Sequence, residues 1–286
     1  MSENPFDMGE KDTGWCPGCG NFMILDVFKE ALVELNYKPE DVVIISGIGQ
    51  AAKLPQNVNS HFINSLHGRA VPIAMGVKAV NPKLKVIVVS GDACTYAEGG
   101  NHFMHAIRRN INVTHFVHNN MIMGLTKGQA SPTTQLGMVT NVQTMGVISA
   151  PFNPLAVAIS LDASFVARAY CADKEKTKEI FKKALNHKGY ALIDIFQPCV
   201  SFNRVNTYQW YKENTYYLDK SHSPYNREAA LRLATGTGKY PLGIFYICPN
   251  KPTFEENLYP YQKSDIPIIK RKRDLAKVAQ KLQTYI

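Results

Sequence analysis

Asp92 and the pair Asn119-Asn120 are the residues of this chain best suited to do chemistry together. A carboxylate and a side-chain amide are hard oxygen ligands suited to Mg²⁺, which keeps octahedral geometry and commonly bridges to the phosphates of a substrate or cofactor. Asp92 lies in Gly91-Asp92-Ala93, directly after the apolar, β-branched run 85–90. Asn119-Asn120 directly follow a second such run, 113–118. Both clusters therefore fall at strand ends. Between them Phe103, Ala106 and Ile107 recur at helical spacing within 98–110, so the unit reads as one βαβ crossover with both loops on one edge of a parallel pair. Taken singly, Asp92 would pass for the cap of a helix beginning near Glu98, and Asn120 for a turn residue. Together they predict a site for a metal diphosphate.

The elements that must position these loops alternate along the chain. A loop over 15–20, with a proline and two glycines, enters a helix over 22–35. Val42 to Ser46 reads as a buried strand ending in Gly47-Ile48-Gly49, whose glycines let a backbone approach a ligand closely. A small-residue-rich helix over 70–80 is closed by Asn81-Pro82. After the βαβ unit comes a long irregular segment, 124–140, rich in Gly, Ser, Thr and Pro; beside a binding edge such a segment is usually functional. Helix 154–161, strand 164–170, helix 174–187 and strand 190–196 follow. The pattern predicts an α/β fold, a doubly wound, mostly parallel sheet with helices on both faces and ligands at the carboxyl ends of its strands. From about Phe202 the alternation fades into an aromatic-rich segment (Tyr208, Trp210, Tyr211, Tyr216, Tyr217), a short helix over 227–234, a strand over 242–247 and a basic helix. The expected organisation is an arm over 1–14, a domain over 15–201 and a C-terminal extension over 202–286, packed on the domain or on a partner.

With 286 residues, 45% of them hydrophobic and 19% charged, the chain can bury a sizeable core. It contains no run of about 18 apolar residues, so no membrane association is expected. Met1-Ser2-Glu3-Asn4-Pro5 lacks the layout of a secretory signal, which makes a cytoplasmic location the expectation. Much of the net charge of +9 is concentrated in Lys270-Arg271-Lys272-Arg273, Lys277 and Lys281, with Leu275, Val278, Ala279 and Leu282 on the other face of a C-terminal helix. A solvated or subunit-facing helix, or attraction to an acidic protein, accounts for it. No nucleic-acid motif accompanies the charge, so nucleic acid is not an expected partner. Six cysteines, at 16, 19, 94, 171, 199 and 248, are too scattered for a disulfide framework. In a reducing compartment Cys16-x-x-Cys19 is more often a metal or redox pair, and with no second such pair a zinc site lacks its other ligands.

Gly91-Asp92-Ala93 with Asn119-Asn120 resembles the thiamine diphosphate motif, in which the third residue is usually glycine. Five further blocks resemble, in family order, the β subunit of 2-oxoacid:ferredoxin oxidoreductases: Trp15-Cys16-Pro17-Gly18-Cys19-Gly20, Ser46-Gly47-Ile48-Gly49, Leu66-His67-Gly68-Arg69-Ala70, the segment 124–133 and Gln197-Pro198-Cys199-Val200. The resemblance implies Mg²⁺ held by Asp92, Asn120 and the backbone carbonyl of Ile122. It implies thiamine diphosphate bound among Ile48, Gly49, His67, Gly68 and Gly91, with Asp92, Ala93, Asn120, Ile122, Gly124 and Leu125 completing the site. His67 would donate to the diphosphate or relay protons. Lys127, as a point charge, would meet the substrate carboxylate, and Lys53 would be a second active-site cation. Ala93 is tolerable there if its φ stays below zero, because a methyl group strains a left-handed position.

The family decarboxylates a 2-oxoacid, passes electrons singly to a [4Fe–4S] cluster and on to ferredoxin, and transfers the acyl group to CoA. Such a cluster normally has four cysteine ligands. Cys16, Cys19 and Cys199 match three of them, but the fourth position holds Gln50, whose amide oxygen is a poor substitute for thiolate. Three outcomes stay open: a non-cysteine fourth ligand, a three-iron form, or no cluster. Cys94 lies at the diphosphate end and is a doubtful replacement. Thiamine chemistry also requires a glutamate against the aminopyrimidine ring, normally from a pyrimidine-binding domain. This chain holds one diphosphate-type unit, so the resemblance implies an α subunit as partner, beside ferredoxin, CoA and a 2-oxoacid. The alternatives are a non-redox decarboxylase or synthase subunit and a catalytically reduced scaffold.

Overall fold

The run Val-Val-Ile-Ile-Ser of β1 (Val42–Ser46) has no polar face to turn to water, and all five residues are buried. This is the signature of a strand covered on both sides. The computed structural model describes residues 4–9 and 12–285, so 1–3 and 10–11 of the expected arm, and residue 286, lie outside the described residues. After β1 come β2 (His61–Asn64), β3 (Lys85–Gly91), β4 (Thr114–Asn119), β5 (Phe165–Tyr170), β6 (Ala191–Phe196), β7 (Thr215–Tyr217) and β8 (Tyr240–Ile247). They form one eight-stranded sheet in the order β2-β1-β3-β4-β6-β5-β8-β7. All neighbours are parallel except β5 and β8, which pair antiparallel across an irregularity at Val166/Ala167.

The helices are α1 (Gly20–Glu34), α2 (Ala70–Val80), α3 (Gly100–Arg109), α4 (Pro154–Ser160), α5 (Lys174–Asn186), α6 (Tyr208–Asn214), α7 (Arg227–Thr235), α8 (Phe254–Asn257) and α9 (Leu275–Gln283). Successive strand side chains point to opposite faces, so the core divides in two. Ile44, Ile87 and Phe116 meet Phe28 of α1 and Phe181 of α5 in one layer. Val43, Ile45, Val88 and Val117 meet Ala74 of α2, Phe103 of α3 and Leu155 of α4 in the other.

The segment after residue 202 adds β7 and β8 to this same sheet, and Tyr211 of α6 is fully buried with its ring 4.9 Å from that of Phe196. The elements absent from the sequence-based expectation include β2, β7, α6, α8 and a 3₁₀ run over Ala51–Asn57. Lys270 to Arg273 precede α9 rather than sitting on it, and none of the residues of α9 is buried. From β1 the chain passes to β2 on one side and returns to β3 on the other. The crevice at the carboxyl ends of β1 and β3 is therefore the topological switch point, where open α/β sheets bind ligands.

Candidate functional site

Four loops meet at that crevice. β1 runs into Gly47-Ile48-Gly49-Gln50, β2 into Leu66-His67-Gly68, β3 into Asp92, and β4 into Asn119 to Leu125. One cavity is lined by Ile48, Gly49, His67, Gly91, Asp92 and Ala93 together with Asn120, Ile122, Gly124 and Leu125. Gly68 stands just behind it. Its φ is +70° and a Cβ there would meet the backbone of Glu98 at 2.4 Å, so glycine alone fits.

Asp92 is buried and its carboxylate caps no helix; it precedes a π-helical turn, Ala93–Glu98. Such turns are frequent at functional sites. Ala93 keeps a negative φ, so its methyl group brings no left-handed strain. The hydroxyls of Ser131 and Thr133 both donate to Asp92 Oδ2, each at 2.6 Å, which leaves Oδ1 without a side-chain donor among the described residues. Burial outweighs these bonds and pushes the Asp92 carboxyl up to about 6. Thr133 Oγ1 also lies 2.9 Å from Asn119 Oδ1, and Asn119 Nδ2 donates to Asp194 Oδ1 at 3.0 Å. Asp194 is in turn paired with Arg168 Nε at 2.9 Å. A buried ion pair two bonds away thus sets the loop that carries Asn120.

Met121, between Asn120 and Ile122, has φ +55°, an uncommon value for a non-glycine residue and a mark of a constrained loop. The kink lets Asn120 Oδ1 accept the Ile122 N–H at 3.1 Å, with one lone pair of the amide oxygen still to spare. Among the described residues no three His, Cys, Asp or Glu side chains are arranged around a single metal ion. A carboxylate, an amide oxygen and a carbonyl nevertheless suit Mg²⁺, which takes its remaining ligands from phosphates and water.

A second cavity adjoins the first. It is lined by Cys16, Cys19 and Cys199 with Trp15, Asn21, Gln197 and Ser201, and it shares Gln50, Asn120 and Gly124 with the cofactor cavity. Cys16 and Cys19 come from the loop entering α1, and Cys199 follows β6. Ser201 Oγ donates to Cys16 Sγ at 3.0 Å. Burial pushes the Cys19 thiol up to about 11, and the neighbouring Cys199 and Cys16 sulfurs add to it. Asn120 Nδ2 donates to Gln197 Oε1 at 3.4 Å and Gln197 Nε2 to Cys19 Sγ at 3.4 Å, so one amide bridges the two sites. Cys94 lies in the first cavity, where its sulfur accepts N–H bonds from Gly68 at 3.2 Å and Ile48 at 3.5 Å.

The expected cations are placed less centrally. Lys53 Nζ donates to the Gly14 carbonyl at 2.8 Å, and Lys53 does not line the cofactor cavity. Lys127 is exposed, with φ +79°, in a tight turn closed by the Gly128 N–H to Met123 O bond of 2.9 Å. That turn holds Leu125 and Thr126 at the cavity wall.

A family described as thiamine pyrophosphate enzyme, C-terminal TPP binding domain, matches residues 47–195. A second, described as the C terminal of the pyruvate ferredoxin oxidoreductase beta subunit, matches 199–263. The chain is 42% identical over 256 residues to subunit beta of 2-oxoacid:ferredoxin oxidoreductase 1 of Aeropyrum pernix, covering 85% of this chain and 80% of the relative. It belongs to the β subunits of the 2-oxoacid:ferredoxin oxidoreductases. The 2-oxoglutarate synthase subunit KorB of Methanocaldococcus jannaschii is 34% identical over 253 residues, 86% of this chain and 91% of that one. The solved 2-oxoglutarate:ferredoxin oxidoreductase from Magnetococcus marinus, with 2-oxoglutarate, coenzyme A and succinyl-CoA bound, superposes with a TM-score of 0.90. It is 33% identical, with 96% of this chain and 94% of that chain covered.

This β subunit thus has a thiamine diphosphate-binding domain, and the matched segment 47–195 contains all four loops of the first cavity. Sequence reasoning missed several residues that hold the site. Arg168 and Asp194 are direct register partners on adjacent, fully buried strands, and two opposite charges inside apolar runs were the available signal. Ser131 and Thr133, the donors to Asp92, belong to the segment 124–133, where residue type alone gives their hydroxyls no role. His118, whose Nδ1 lies 2.8 Å from Asn21 Oδ1, also lines the cofactor cavity and passed for an ordinary strand residue. Burial pushes it down to about 3, so it is neutral.

Proposed function

We propose that this chain binds Mg²⁺–thiamine diphosphate through its diphosphate end and works in the CoA-dependent oxidative decarboxylation of a 2-oxoacid, handing electrons through a cluster at Cys16, Cys19 and Cys199 to ferredoxin. The observation that carries this is the shared wall: Gln50, Asn120 and Gly124 line both cavities, so one layer of residues separates the cofactor site from the thiols. Thiamine diphosphate, when bound, supplies the nucleophilic carbon and the electron sink for loss of CO₂. Asp92, Asn120 and the backbone carbonyl of Ile122 would hold the metal. Gly49, with φ +112°, and Gly91 let the chain approach the phosphates without a side chain intervening. His67, exposed at the mouth, donates to a phosphate oxygen or moves a proton there. Leu125 shields the cavity from water, and Lys127 on the same turn attracts the substrate carboxylate. Lys53 acts less directly, by tethering the loop that carries Trp15 and Cys16 through Gly14.

A partner α subunit would supply the pyrimidine-binding half. Leu66 at 75%, Met145 at 95% and Ile148 at 91% exposure, with Leu136 and Val139, are large apolar side chains left in water by this chain alone. Exposed apolar surface of this kind marks interaction sites. The test is dye reduction by the co-expressed αβ complex with a panel of 2-oxoacids, with and without CoA. Expected are 2-oxoacid-dependent reduction and its loss in Asp92→Ala. CO₂ release without acceptor reduction would favour a non-redox decarboxylase, and absence of thiamine diphosphate in an extract of the complex would sink the proposal.

A further inference from the structure

We infer that Gln50 closes the fourth corner of the cysteine site, so that this chain holds an iron–sulfur cluster with three thiolate-bound irons and one exchangeable iron. The inference rests on the cluster placement proposed above and adds which atom faces the fourth iron and how that iron behaves. Gln50 lines the cavity formed by Cys16, Cys19 and Cys199, and its Oε1 is buried without a hydrogen-bond partner. A buried acceptor left unpaired is rare in folded proteins and calls for a donor or an ion to face it. The residue is anchored where it stands, because its backbone carbonyl accepts the Trp15 indole N–H at 2.8 Å, next to Cys16.

No other thiol takes this corner. Cys94 faces the cofactor cavity and already accepts two backbone N–H bonds. Cys171 is near enough to Cys19 to feel its charge, yet it is fully buried and does not line the cysteine cavity. Cys248 lies by Asp162, at the β5–β8 end of the sheet.

Thiolates bind iron in a sulfide cage firmly, whereas a neutral amide oxygen is a hard and weak ligand for it. The iron at Gln50 is therefore the first to leave. A cluster with one thiolate fewer also carries one negative charge less, which places its reduction potential above that of the same cluster with four cysteines. Because Gln50 lines the cofactor cavity as well, the labile corner is the one turned toward the thiamine site.

The experiment is ferricyanide oxidation of the anaerobically purified αβ complex, followed by electron paramagnetic resonance and iron analysis, with Cys16→Ala as the background. Mild oxidation takes [4Fe–4S]²⁺ to [3Fe–4S]⁺, releasing one Fe²⁺ and giving one electron to ferricyanide. The wild-type complex is expected to show the three-iron signal and to recover when Fe²⁺ and dithionite are added. Gln50→Cys should keep its fourth iron and give no such signal, and Gln50→Leu should remain in the three-iron form after Fe²⁺ addition. Wild-type and Gln50→Cys complexes that release iron alike would overturn the role of Gln50, as would iron binding by Gln50→Cys alone. Wild-type, Gln50→Cys and Cys16→Ala complexes with the same iron content would instead overturn the cluster placement itself.

Discussion

Asp92 offers the sharpest quantitative test, because the proposed metal site needs its carboxylate and burial holds that carboxyl at about 6 instead of 3.8. At pH 7 the group is almost fully ionised, and at pH 5 only roughly a tenth of it is. Metal-dependent cofactor binding should therefore weaken about tenfold between pH 7 and pH 5, or about 1.4 kcal/mol. The diphosphate titrates in the same range, so the decisive quantity is a difference between proteins. Ser131→Ala combined with Thr133→Val removes two hydrogen bonds that favour the charged form. The inflection should then move to higher pH with the cofactor unchanged. Calorimetric titration of thiamine diphosphate into the αβ complex at fixed Mg²⁺, from pH 5 to 8, measures both curves. Superimposable profiles would refute the assignment of Asp92 as the titrating ligand. For folding of the metal-free chain the sign reverses. A folded-state value above the unfolded one gives stability that is complete below about 3.8 and is lost as pH rises through about 6.

Two further outcomes are expected from features away from the metal. Asp194→Ala leaves Arg168 buried and unpaired and should cost about 3–5 kcal/mol, read as a lowered denaturation midpoint. The same variant releases Asn119, so weaker cofactor binding should accompany the loss of stability. Leu66→Asp, at a side chain in contact with water, should leave the circular dichroism of the chain unchanged while abolishing co-purification with the α subunit. Retained co-purification would place that interface elsewhere.

The parts of the site that were legible in the sequence are those whose chemistry is local. Asp92 and Asn120 follow strands that announce themselves by unbroken apolar runs, and the glycines after β1 sit where the chain turns. Ser131 and Thr133 were not legible as donors, since they reach Asp92 across 39 and 41 residues of chain and only the folded loop brings them to one oxygen. β2 escaped because four exposed residues at a sheet edge carry no periodic signal. The aromatic segment after residue 202 hid α6, whose Tyr211 is buried by tertiary packing on Phe196 rather than by any amphipathic stripe. Lys53 shows the limit of inference from resemblance. The family likeness makes it a second active-site cation, and here its ammonium is engaged by the Gly14 carbonyl.

β2 lies at the end of the sheet with all four residues exposed, Phe62 and Ile63 among them, and the apolar Leu66 comes just after it. An open strand with apolar side chains is a template for pairing with other chains. A newly made copy of this subunit is therefore an orphan until its partner arrives. Overproduction of this chain without its partner subunits should fill the insoluble fraction rather than yield spare subunits.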